Sequence, residues 1–235
     1  MSTDSSNHQC PGYWKNGLWI DLSSAVPGDL GAEAYMVRII GGVPYLAGST
    51  TTGVLAPGYF ANGALTQLTY SGSTSDPGGS GYAWDIGMVG NAICVAGDRS
   101  VLQGTTTISE AGYWDAGTWQ TLPVLDQTKA SDTSTIAVSG SDWYIAGWTT
   151  DTSGVANPGY WKGGTTWVGL PRLDQTHDAF ANYILVDGTD IYVGGYSLNA
   201  SGVAVPGYWK DGTWTTLSSA DQTKDTKVYA FQVVN

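Results

Sequence analysis

The sequence predicts an all-β fold, a five-bladed β-propeller of four-stranded blades, and three observations lead there. A Pro-Gly-Tyr-Trp anchor recurs at near-constant spacing, each anchor lies within a pair of hairpins, and nothing in the repeat has helical periodicity. The anchor stands as Pro11-Gly12-Tyr13-Trp14, Pro158-Gly159-Tyr160-Trp161 and Pro206-Gly207-Tyr208-Trp209. Two variants are Pro57-Gly58-Tyr59-Phe60 and Ala111-Gly112-Tyr113-Trp114. The five glycines are separated by 46, 54, 47 and 48 residues.

Each unit divides into strands A, B, C and D. The A and B strands form a hairpin ahead of the anchor, as in Tyr183–Val186 turning through Asp187-Gly188-Thr189-Asp190 into Ile191–Gly195. The anchor itself begins strand C and turns tightly into strand D, as in Trp209-Lys210-Asp211-Gly212-Thr213-Trp214, where Asp-Gly between β-forming runs signals a hairpin. The tryptophan pairs Trp14/Trp19, Trp114/Trp119, Trp161/Trp167 and Trp209/Trp214 face each other across these strands as packing. Four short strands per radial repeat describe a propeller blade. The census is five A strands, the last being Val228–Val234, four B strands, five C strands and five D strands. The expected closing blade takes A from the C-terminus and C and D from the N-terminus, and it lacks strand B. The expected form is a monomer with an incomplete last blade, and the alternatives are a piece of a longer protein or strand exchange between copies.

The repeat resembles a kelch-type blade. The matching features are the apolar A strand, a B strand ending in a small pair (Gly194-Gly195, Ala-Gly elsewhere), the Tyr of strand C and the Trp of strand D. That resemblance implies a propeller, in a family that runs from galactose oxidase-like enzymes to pure binding platforms.

A chain of 235 residues suits one large β domain, spanning 1–235. Nine Lys and Arg against 20 Asp and Glu give a net charge of -11, which disfavours nucleic acid and anionic lipid as partners. Charged residues make up only 12 %, so the polar surface comes mainly from Ser, Thr, Asn and Gln, the balance of an extracellular or periplasmic protein. No apolar run reaches the roughly 20 residues that span a bilayer, and the N-terminus has no signal-peptide core. Cys10 and Cys94 form no spaced framework, and Cys94, within Ile93-Cys94-Val95-Ala96, reads as a buried free thiol.

Tight A–B and C–D turns place the longer B–C and D–A loops, about 10 residues each, on one face, and that face is the expected binding face. Its candidate ligand-binding residues are Asp126, Asp174 and Asp221 of a recurrent Asp-Gln-Thr, then Asp178, and the aromatics Trp148 and Tyr196 just after the B strands. The carboxylates either ring a site for sugar hydroxyls or cap their own turns. The aromatics either stack on a sugar face or close a blade edge. No cofactor or metal is expected: His8 and His177 have no ligand spacing, and nucleophile-elbow and dinucleotide glycine motifs are absent. The expectation is a non-enzymatic binding propeller, lectin-like towards glycans, with a protein-interaction scaffold or a segment of a larger repeat protein as alternatives. A hydrolase using carboxylates from different blades stays open.

Overall fold

The computed structural model describes residues 2–3, 8–28, 31–51, 55–70 and 80–234. They are all-β, with the blades of a five-bladed propeller. The first four strands are β1 (Ser2–Thr3), β2 (Gln9–Cys10), β3 (Gly12–Lys15) and β4 (Leu18–Asp21), paired as β1-β2 and β3-β4. Four complete blades follow as antiparallel meanders. Blade I is β5 (Gly31–Ile40), β6 (Val43–Thr51), β7 (Leu55–Ala61) and β8 (Ala64–Gln67). Blade II is β9 (Gly81–Val89), β10 (Ala92–Gln103), β11 (Thr106–Asp115) and β12 (Thr118–Thr121). Blade III is β13 (Ser131–Ser139), β14 (Asp142–Thr150), β15 (Ala156–Lys162) and β16 (Thr166–Gly169). Blade IV is β17 (Ala179–Asp187), β18 (Asp190–Leu198), β19 (Ala204–Lys210) and β20 (Thr213–Thr216). The chain forms two compact units, Met1–Gln120 and Thr121–Asn235.

The C–D hairpins close as the dipeptides predict. Asn16-Gly17, Asn62-Gly63, Ala116-Gly117 and Asp211-Gly212 all have positive φ at both residues, the two-residue turn whose twist matches the flanking strands. The D–A loops keep nine residues in 122–130 and 170–178, but the B–C loops are shorter than expected. They have five residues in 151–155 and 199–203, and two between β10 and β11, because strands B and C continue past the anchor.

The anchor glycine is set by the tryptophan of strand D. A Cβ on Gly159 would fall 2.5 Å from the Trp167 ring, and on Gly12 2.5 Å from that of Trp19. Gly112 and Gly207 are covered in the same way by Trp119 and Trp214. In register across the B–C pairing, each anchor glycine meets a second glycine: Gly48↔Gly58, Gly97↔Gly112, Gly147↔Gly159 and Gly195↔Gly207. A Cβ on that second glycine would collide with a strand-A carbonyl, of Glu33, Tyr82, Asp132 or Phe180. Immediately after it, the A–B register slips in every blade, a β-bulge at Tyr35, Trp84, Ser134-Thr135 and Asn182.

The anchor aromatic fills the core of each complete blade. Trp114, Trp161 and Trp209 have no exposed surface and Phe60 has 1 %. The three tryptophans pack on the strand-D tryptophan with centroids 4.5 to 4.6 Å apart, and Phe60 faces Leu65. Their indole N–H groups donate to the loop entering the blade: Trp114 to the Thr69 carbonyl at 3.0 Å, Trp161 to Pro123 at 2.7 Å and Trp209 to Pro171 at 2.8 Å. That satisfies the one polar atom a buried tryptophan carries. Cys94 is a buried free thiol, and burial pushes it up to about 12.

The fifth blade has its C–D hairpin, β3-β4, and a trace of strand B. The pairs Ser2↔Cys10 and Thr3↔Gln9 repeat the register of Thr149↔Asn157 and Thr150↔Ala156. Val228–Val234, expected as the fifth A strand, is not a strand. It lies where the next A strand would follow β17, with the Val228 carbonyl accepting from Asn182 Nδ2 at 2.7 Å and Phe231 against Tyr183. In the complete blades strand A pairs only with strand B, and no such partner remains for this segment among the described residues. Trp161→Ala should cost about 3–5 kcal/mol of stability. Trp14→Ala, at a position left largely exposed, should cost less than about 1 kcal/mol. Urea unfolding midpoints of the two variants check the contrast.

Candidate functional site

The loop carboxylates are turn formers. Asp126 Oδ1 accepts from Thr128 N at 2.9 Å and Thr128 Oγ1 at 2.7 Å. Asp174 makes the same pair of bonds with Thr176, and Asp221 with Thr223. The threonine hydroxyl and amide lower all three carboxyls, Asp174 to about 2 with His177 adding to the effect. Asp178 ties its loop to the preceding blade, its Oδ1 accepting from Ala156 N at 2.8 Å, and Asp225 does the same with Ala204 N. These five carboxylates are therefore occupied by local backbone and hydroxyl groups.

Trp148 and Tyr196 do come together. They lie within β14 and β18, one residue past the strand-B glycine, rather than after the strands. Phe180 of β17 stands between them, T-shaped to Trp148 at 5.4 Å and stacked on Tyr196 at 5.1 Å. Lys227 Nζ caps Tyr196 at 4.6 Å from the ring centre. Burial pushes the Tyr196 phenol up, Lys227 opposes that, and nearby Asp178 adds to it.

The same tier of the unit Met1–Gln120 carries a second cluster that the sequence reading missed. Tyr82 and Trp84 of β9 stack at 4.6 Å with ring planes 13° apart, and Tyr35 of β5 closes on them at 6.0 and 5.0 Å. The Tyr35 phenol donates to Glu33 Oε2 at 2.7 Å, and burial raises that phenol, with the Glu33 contact reinforcing the shift. Tyr35 and Trp84 are bulge residues, and the bulge aims them. Strand β9 is fastened to β5 by Arg38, whose Nε and Nη2 donate to the two oxygens of fully buried Asp85 at 2.9 and 2.5 Å.

Asp98 stands on β10 opposite Tyr82, at the position held by Trp148 and Tyr196 in blades III and IV. It is 6 % exposed, and its Oδ1 accepts the Tyr82 N–H at 2.9 Å. Burial pushes its carboxyl up to about 6, against the pull of Tyr82 N–H and Ser109. The signal for this cluster was the alternation Glu33-x-Tyr35 and Tyr82-x-Trp84. These residues precede the apolar run of each A strand, and pairing with strand B extends the strand over them.

No family model matches the sequence, and no curated protein matches it. The kelch resemblance therefore carries over only as the four-stranded blade. Similar folds occur among solved structures. An exo-1,5-α-L-arabinanase from a bovine ruminal metagenomic library is 12 % identical, with 93 % of this chain and all of that chain covered, TM-score 0.46. The catalytic domain of a Coprinopsis cinerea GH62 α-L-arabinofuranosidase is 12 % identical, with 89 % and 73 % covered, TM-score 0.42. An α-L-arabinofuranosidase from Podospora anserina, solved with cellotriose, is 14 % identical, with 95 % and 76 % covered, TM-score 0.40. These neighbours are named as enzymes that act on glycans, and they stand against the expectation of a non-enzymatic binding protein.

Chemically, the first unit offers an aromatic platform, a carboxylate held by a phenol, and a carboxyl that keeps its proton to about pH 6. Asp98 is an acid whose folded pKa lies above the unfolded value of about 4. The folded state binds the proton over that interval and the unfolded chain releases it. Its contribution to stability is therefore full below about pH 4 and is lost as pH rises through about 6. Asp98→Asn should flatten that fall and raise the unfolding midpoint at pH 7 relative to wild type, measured by urea titration between pH 4 and pH 7.

Proposed function

We propose that this chain hydrolyses glycosidic bonds at the Glu33, Tyr35, Tyr82, Trp84 and Asp98 cluster. The observation that carries the reading is the pairing of two carboxyl groups in different surroundings with a stacked Tyr82–Trp84 platform. Aromatic faces take the apolar faces of sugar rings, and glycoside hydrolysis uses one carboxyl as proton donor and a second as its carboxylate partner. Asp98, protonated up to about pH 6, is the donor to the leaving oxygen. Glu33, oriented by the Tyr35 phenol, is the partner. Water supplies the new hydroxyl at the sugar carbon as the glycosidic C–O bond breaks. The glycan is the ligand of this reading, the cell exterior or periplasm its setting, and the chain 1–235 acts as one propeller domain. The turn carboxylates Asp126, Asp174, Asp178 and Asp221 have no part in it. The aromatics Trp148 and Tyr196 serve as a further sugar-stacking row.

The test is release of chromophore or reducing sugar from a panel of aryl glycosides and plant polysaccharides, including arabinosides. Wild type should hydrolyse at least one substrate, with a rate that declines above about pH 6 as Asp98 loses its proton. Glu33→Gln and Asp98→Asn should each lower kcat by at least about a hundredfold, in line with lost acid–base catalysis. Trp84→Ala should act mainly on KM. Absence of hydrolysis across the panel, or full activity in both carboxyl variants, sinks the proposal.

A further inference from the structure

One copy of the repeat leaves its central aromatic in solvent. Trp14 is 71 % exposed, whereas Trp114, Trp161 and Trp209 at the same position are fully buried. Val37 on β5 is 44 % exposed, while its counterparts Ile86, Ile136 and Ile184 are at 0, 4 and 1 %. Both residues line a cleft of about 390 Å³ between β3 and β5, with Tyr13, Trp19, Glu33 and Tyr35 in its walls. In the complete blades this space is filled by strands. Strands β5, β6 and β7 all pack against β9, and β13, β14 and β15 all pack against β17. Against β5, the contacts come from β2 and β3. Strand β3 pairs with β4 on one edge, and among the described residues no strand pairs with its other edge.

The four complete blades spell out what such an edge accepts. Opposite the anchor Gly stands Gly in all four, and opposite the anchor Tyr stands Ala47, Ala96, Ala146 or Gly194. Opposite the anchor Trp or Phe stands Leu46, Val95, Ile145 or Val193, and one residue earlier comes Tyr45, Cys94, Tyr144 or Tyr192. Read against Lys15-Trp14-Tyr13-Gly12, the complementary strand is Tyr-aliphatic-small-Gly. The Gly has a steric cause, since it leaves room for the carbonyl of a neighbouring strand, and at the small position a Cβ on Gly194 would fall 2.6 Å from the Phe231 ring. The pairing β1-β2 already continues in this register, so the vacant stretch lies opposite Pro11 to Lys15. A second copy of the chain is a poor donor, because its B strands β6, β10, β14 and β18 are each hydrogen-bonded on both edges within their own sheets.

We propose that the open edge of β3 and its cleft form an acceptor slot for an extended segment of another polypeptide carrying Tyr-aliphatic-small-Gly. The slot takes that segment by β-augmentation, with main-chain bonds supplying affinity and the Gly-Tyr-Trp face of β3 supplying selectivity. Its cleft shares Glu33 and Tyr35 with the glycan reading, but its test reads peptide binding and not hydrolysis, so either can fail alone. The probe is a synthetic peptide with the sequence of Asp190–Tyr196, which contains no tryptophan. The control is the same peptide with Val193→Asp and Gly195→Val. Labelled peptide should bind the whole chain saturably at one site by fluorescence anisotropy, and the control should bind at least tenfold more weakly. Binding should shift the protein's tryptophan emission to the blue as Trp14 is covered. Trp14→Phe, the residue that position 60 uses in the same role, should retain binding and lose most of that shift. Absence of saturable binding, equal binding of both peptides, or an undiminished shift in Trp14→Phe overturns the proposal. So does a concentration-dependent dimer in sedimentation velocity that excludes the peptide.

Discussion

Everything in a blade depends on two glycines facing each other across strands B and C. The anchor glycine makes room for the strand-D tryptophan, and its partner makes room for a strand-A carbonyl. A side chain on either would have to displace backbone or a packed indole, and overpacking of that kind costs about 1–3 kcal/mol per site. The carbonyl that approaches the strand-B glycine belongs to the residue two positions ahead of the A-strand bulge. Close approach on one side of the sheet and irregularity on the other are thus one local solution, repeated four times.

That solution also decides what the blade can present. The bulge turns one or two side chains of strand A out of the regular alternation, and their chemistry differs between the units. In Met1–Gln120 they are Tyr35 and Trp84, gathered with Tyr82, while the Tyr35 phenol holds Glu33 and the Tyr82 N–H holds Asp98. In Thr121–Asn235 they include Ser134 and Asn182, whose side chains donate to the carbonyls of Ala181 and Val228. One backbone device therefore yields an aromatic cluster in one unit and a structural stitch between successive strands in the other. The indole bonds of Trp114, Trp161 and Trp209 hold the loop that feeds each blade, so the bulges are carried on a fixed frame.

Much of the frame was legible in the sequence, because its causes are local. Asn-Gly and Asp-Gly encode the C–D turns, and the anchor spacing encodes the blade. The Trp pairs meet where their separation places them. What escaped depends on partners distant in sequence. Strand A was read as an apolar run, so Glu33, Tyr35, Tyr82 and Trp84 fell outside it, although pairing with strand B extends it to nine or ten residues. Val228–Val234 has the composition of a strand, and among the described residues it has no strand neighbour to pair with. The Asp-Gln-Thr carboxylates looked like a ring of ligands, yet a threonine two residues away satisfies each of them. Asp98 takes the strand position of Trp148 and Tyr196, and the burial that raises its carboxyl comes from the folded surroundings.

Near-identity of the copies raises a question of folding fidelity. Strands β15 and β19 differ only at Asn157 and Val205 and share the same alternation of buried and exposed positions, so β14 has two almost equivalent partners within its own unit. Contact energy alone barely separates them. Chain connectivity does: the correct pairing closes a loop of five residues, 151–155, and the wrong one closes 151–203. By polymer statistics that difference favours the adjacent strand by about 2 kcal/mol, a preference of some thirtyfold before any side chain has packed. The five-residue B–C loops of blades III and IV thus sort twins by distance along the chain, so that each sheet assembles from consecutive strands rather than from look-alikes one repeat away.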